Sequence, residues 1–121
     1  GLYVDDVWEF TPTSGAWEKK NDLDYDDDYY ITRSNALGFS LNGLGYVSCG
    51  YSGGVIGSTW QYDSVGDTWE QLTTLEATPR QDAISFTSTN NKAFVLLGRS
   101  GSLYLDDTYE FFPQEELNED D

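Results

Sequence analysis

The feature that most constrains this chain is that it repeats itself. A shift of 101 residues carries Leu2-Tyr3-Val4-Asp5-Asp6-Val7-Trp8-Glu9-Phe10 onto Leu103-Tyr104-Leu105-Asp106-Asp107-Thr108-Tyr109-Glu110-Phe111. A shift of 52 carries Trp8-Glu9-Phe10 onto Trp60-Gln61-Tyr62, and Trp17-Glu18 onto Trp69-Glu70. The other half of the unit recurs as well: residues 33–39 match 80–86 at a shift of 47, and 46–50 match 94–98 at a shift of 48. A period of about 50 residues means one supersecondary unit used again and again, each burying a face against the next.

The unit reads as four short strands. Residues 36–41 form the first, the Asn42-Gly43 dipeptide supplies a tight hairpin turn, and 44–50 form the second. Gly53-Gly54 opens a looser connection, 58–62 form the third strand, 64–67 turn the chain, and 68–72 form the fourth. The next unit repeats the pattern at 83–87, 93–98 and 108–112. Aromatic residues make up 16% of the chain, and with Thr, Ser and Gly they suit strands and turns rather than helices. No stretch carries a 3.6-residue period. The expected fold class is therefore all-β, an antiparallel meander.

Two motifs resemble the kelch repeat: the glycine-rich strand end Cys49-Gly50-Tyr51-Ser52-Gly53-Gly54, and the spaced aromatics Trp60, Tyr62-Asp63 and Trp69. Residues 33–72 look like the bacterial secreted kelch proteins of galactose-oxidase-like type. The resemblance implies a partial kelch β-propeller of about two and a half four-stranded antiparallel blades over residues 1–113. Residues 1–20 would be a half blade and 33–75 a complete one. Residues 80–113 would be a blade lacking its fourth strand, because the position nine after Tyr109 holds Asn118 and not Trp. The third unit also has Gly101-Ser102 where the double glycine would fall, and residues 114–121 read as an acidic tail. The chain opens on Gly1 rather than Met, which suggests an excised piece. Its missing neighbours would come from a longer parent or from other copies of the chain. The secreted relatives imply an extracellular or periplasmic setting.

Net charge narrows the partners. Twenty-two acidic residues against six basic ones give −16, and the cations are scattered. Phosphate recognition needs clustered cations, so nucleic acid and anionic lipid are excluded as expected partners. Cys49 is the only cysteine, so no intrachain disulfide forms, and its apolar neighbours suggest a buried, inert thiol. No run of 18 apolar residues suggests a spanning helix. Histidine is absent, which removes the copper ligands that galactose oxidase uses and every Ser-His or Cys-His nucleophile. The expected function is a non-catalytic module that binds protein or carbohydrate. One alternative is part of a sugar-modifying, epimerase-like kelch enzyme whose catalytic residues lie in missing blades. Another is a structural repeat that self-associates.

Candidate ligand-binding residues follow from the repeat. Arg33 and Arg80 open the first strand of their units, and Tyr51 and Arg99 follow the second strand at equivalent positions. Tyr104 lies in the loop after Arg99. Convergent loops above a rigid scaffold are where sites gather, and a ring of Arg and Tyr would clamp carboxylates or sugars. Local pairing of each Arg with a nearby acid is the competing expectation. Asp22, Asp24 and Asp26 alternate as calcium ligands do, but the sixth and twelfth places from Asp22 hold Asp27 and Arg33 instead of Gly and Glu. A solvated acidic loop is the alternative there, and no other cofactor is expected. The recurring aromatics Trp8, Phe10, Trp17, Trp60, Tyr62 and Trp69 are expected to pack between units.

Overall fold

The computed structural model describes residues 6–21, 32–72 and 78–112. The chain divides into two compact units, Gly1–Arg33 and Ser34–Asp121. All the described sheets are antiparallel, and no helix occurs among the described residues.

In the first unit β1 (Val7–Thr11) pairs with β2 (Ala16–Lys20), with Phe10 opposite Trp17 and Glu9 opposite Glu18. The Phe10 and Trp17 rings meet with centroids 4.8 Å apart. Lys20 Nζ lies 3.6 Å from Glu9 and 3.4 Å from Glu18, so one cation bridges two opposed carboxylates.

The second unit contains a four-stranded sheet in the order β3-β4-β5-β6. Its strands are β3 (Leu37–Leu41), β4 (Leu44–Ser48), β5 (Thr59–Asp63) and β6 (Thr68–Gln71). A three-stranded sheet follows, built from β7 (Ile84–Thr87), β8 (Ala93–Leu96) and β11 (Thr108–Phe111) in the order β11-β8-β7. A small hairpin of β9 (Arg99–Ser100) and β10 (Leu103–Tyr104) lies between β8 and β11 in sequence.

Side chains alternate across a strand, so each sheet has two faces. Leu37, Phe39 and Leu41 of β3 share a face with Leu44 and Tyr46 of β4. That face packs on Ala93, Val95 and Phe111 of the second sheet, where Leu37, Leu41, Tyr46, Ala93 and Val95 are buried. Phe111 sits edge-on to both Phe39 and Tyr46, at 5.2 and 5.0 Å. The Tyr46 hydroxyl accepts a hydrogen bond from Gln61 Nε2 at 2.9 Å, which meets its polar requirement inside the core. Two hydroxyls stitch the first strands together: Ser85 Oγ donates to the Gly38 carbonyl at 3.0 Å, and Thr87 Oγ1 to the Ser40 carbonyl at 2.7 Å.

The second strands end earlier than the sequence suggests, at Ser48 and Leu96, for a local reason. Cys49 and Gly50 both take positive φ (62° and 107°), and so do Leu97 and Gly98 (65° and 93°). Cys49 N–H donates to the Ser58 carbonyl and Leu97 N–H to the Asp107 carbonyl, both at 3.1 Å. The chain therefore turns out of the ladder there, in the same way in each repeat. Glycine is required at the second of these places. A Cβ on Gly50 would lie 2.7 Å from the Ser34 carbonyl oxygen, and one on Gly98 would lie 2.7 Å from that of Gln81.

Candidate functional site

The loops that leave β4 and β8 return on the segments that enter β3 and β7. Tyr51 and Ser34 exchange backbone hydrogen bonds at 2.8 and 2.9 Å, and Arg99 and Gln81 exchange an equivalent pair at 2.9 Å. The repeat thus places Tyr51 and Arg99 at matching points on two neighbouring loops. β9 and β10 set Tyr104 directly across from Arg99. Cross-strand partners share a face, so the two side chains leave the hairpin on the same side. Tyr104 is 82% exposed, and its neighbour Leu103 is exposed as well.

Arg99 is fixed from below. Its Nε donates to Asp82 Oδ2 at 2.8 Å and its Nη1 to the Gly101 carbonyl at 3.4 Å. Asp82 also accepts from Asn35 Nδ2 at 2.5 Å and Gln81 Nε2 at 3.5 Å. The Arg99 and Asn35 donors hold its carboxyl below the usual carboxylate range. Arg99 Nη2 makes no hydrogen bond among the described residues, which leaves both of its N–H groups open.

Arg80 has a different place. It is 0% exposed. Its Nη1 and Nη2 reach the two Asp107 oxygens at 2.5 and 3.0 Å, Nε donates to the Thr78 carbonyl at 3.2 Å, and Nη1 also donates to the Leu97 carbonyl at 3.1 Å. The guanidinium carbon stands 5.8 Å from the centre of the Tyr109 ring. Asp107 raises the Arg80 pKa, and Arg80 pulls the Asp107 carboxyl below its ordinary value. A side chain so occupied secures the turn between β8 and β11 and offers nothing to a ligand. Arg33 is half-buried and falls in the first unit. Tyr51 is exposed at the rim of its loop. The calcium candidates Asp22, Asp24 and Asp26 lie outside the described residues, and no group of three or more His, Cys, Asp or Glu gathers among those described.

Sequence reasoning passed over Asp82 and Asp107, and both had signals. Asp82 matches Asn35 at the 47-residue shift, and both take positive φ (59° and 58°), where Asn and Asp are favoured. Asp107 matches Asp6 at the 101-residue shift, and Asp6 also holds a strand-entry group, accepting from Trp8 Nε1 at 2.9 Å. Cys49 is fully buried, with its sulfur 3.5 Å from Ser48 Oγ. No helix of the described residues is long and apolar enough to cross a membrane.

No protein-family model matches the chain, and no curated protein matches it. Ninety-four chains of solved structures resemble it. One is YjhT, with a TM-score of 0.60 and 19% identity over 70% of this chain and 25% of that one. The matched part thus corresponds to a quarter of the length of YjhT, and at this identity the likeness speaks for the all-β fold alone.

Proposed function

We propose that the two packed sheets are blades of a kelch-type propeller and that the chain is a non-catalytic binding module, with carbohydrate as the ligand its loops suit best. The carrying observation is the pairing of an open Tyr104 ring with the anchored Arg99 guanidinium on one face of the β9–β10 hairpin. A sugar presents an apolar ring face for stacking and hydroxyls for a directed donor, and this pair offers both. Tyr51, at the matching point of the neighbouring loop, is exposed as well. The propeller reading is supported by the repetition of strand register, positive-φ pairs and loop closures at 47 to 49 residues within one packed unit. Screening the chain on a glycan array, then titrating the best-retained glycan into Tyr104→Ala and Arg99→Ala, tests the reading. Both variants should lose binding while their circular dichroism stays unchanged. Equal binding by both, or no retained glycan, would overturn it.

A second reading, association with further blades from a longer chain or another copy, is favoured by the outward face of the second sheet. Ile84 and Phe86 are 53% and 51% exposed there, although their repeat equivalents Leu37 and Phe39 pack against a neighbouring sheet.

A further inference from the structure

Among the described residues the second sheet has three strands where the first has four, and the β11 edge is specific about what it would accept. In the first sheet β5 carries β6 on its outer side: Leu72 N–H donates to the Thr59 carbonyl at 2.9 Å, and Tyr62 faces Trp69 with ring centroids 4.7 Å apart. In the first unit the equivalent β1 carries β2, and Phe10 faces Trp17. β11 is the third copy of that strand, and among the described residues it pairs only with β8.

The polar groups left open follow from the ladder. The Asp107 carbonyl points to β8, where it accepts from Leu97, so alternation turns the N–H and C=O of Thr108 and Glu110 outward. The first sheet obeys the same rule, with Ser58 pointing to β4 and Thr59 to β6. Phe111 occupies the position at which Phe10 and Tyr62 each meet a Trp.

Charge narrows the occupant further. Glu110 stands where Glu9 stands in β1, and there Lys20 bridges Glu9 to the opposed Glu18. Asp106 and Asp107 lie just before β11. A neutral or acidic strand would give Glu110 no countercharge, whereas a lysine three residues after the Trp would reach it as Lys20 reaches Glu9.

We propose that the β11 edge is a docking site for an extended peptide of another polypeptide. The peptide enters antiparallel as a fourth strand and carries the pattern Trp-x-x-Lys, with Trp opposite Phe111 and Lys opposite Thr108. Main-chain bonds to Thr108 and Glu110 supply affinity, and the two side chains supply selection.

The probe is a capped, fluorescein-labelled peptide with the sequence of residues 15–21, titrated into the 121-residue chain by fluorescence anisotropy. Saturable binding is expected below about 1 mM. Replacing the peptide's Trp or its second Lys by Ala should weaken it about threefold each. A peptide with the sequence of residues 66–72, which has the Trp but no Lys, should bind more weakly than the parent peptide. Glu110→Pro removes the outward N–H, a change an edge strand tolerates, together with the carboxylate, and should cost more than about tenfold, a larger loss than Glu110→Lys. Glu110→Lys keeps every backbone group and should erase the preference for the peptide lysine. Absence of saturable binding, or parent-like binding by Glu110→Pro, would overturn the proposal.

Discussion

Replacing Gly98 by alanine should cost far more than replacing Gly101, although three residues separate them and both have positive φ, 93° and 62°. At Gly101 a Cβ meets nothing within 4 Å. The penalty there is the left-handed backbone alone, about 1 kcal/mol, reduced further by the lower entropy of the unfolded alanine chain. At Gly98 the same Cβ would sit 2.7 Å from the Gln81 carbonyl oxygen and 2.9 Å from both Cα and Cβ of Ala83. These are mostly backbone atoms of the segment entering β7, so no side-chain rotation relieves the overlap. The loop has to move away, and that stretches the paired Gln81–Arg99 bonds, now 2.9 Å each. At about 1 kcal/mol per bond plus the left-handed term, Gly98→Ala should lose about 3 kcal/mol. Urea denaturation followed by circular dichroism measures both variants against the parent. A Gly101→Ala loss equal to or larger than that of Gly98→Ala would refute the close-approach argument.

Arg80→Met should destabilise by about 2–3 kcal/mol, since it strands Asp107 and two carbonyls while Asp107 keeps some access to water; a change below about 0.5 kcal/mol in the same denaturation assay would contradict the role given to that pair. The Asp107 carboxyl has a lowered folded pKa, so its contribution is present above the unfolded carboxylate value, about 4, and is lost as pH falls through the lower folded value. The stability gap between the parent and Asp107→Asn should therefore be constant near neutrality and shrink below about pH 4 in acid titrations. Tyr104→Ala should change stability by less than about 0.5 kcal/mol, because the ring is almost wholly in water, and calorimetry that showed a larger loss would mean the ring packs rather than waits for a ligand.

Strand positions were legible because their causes are local. Alternating apolar residues such as Leu37, Phe39 and Leu41, an Asn42-Gly43 turn, and recurrence at a fixed shift mark the elements to within a residue or two. The β9–β10 hairpin was not legible: two-residue strands carry no periodicity, and residues 99–106 read as plain loop. Nor could sequence choose among twenty-two acids the partner of each arginine. Arg80 and Arg99 look alike in a string of letters. One is sealed beneath the β8–β11 turn on Asp107, and the other is propped at the surface on Asp82, because strand pairing brings together residues 27 and 17 positions apart.

The hydroxyl-to-carbonyl stitching of Ser85 to Gly38 and Thr87 to Ser40 gives the contact between sheets a direction. One sheet gives donors and the next gives acceptors, so the two surfaces in contact differ from each other. An interface of that kind has no built-in end. A further sheet docking in the same sense would leave one surface still open. Such a series stops in only two ways: its last member meets its first, or something unlike the repeat caps it.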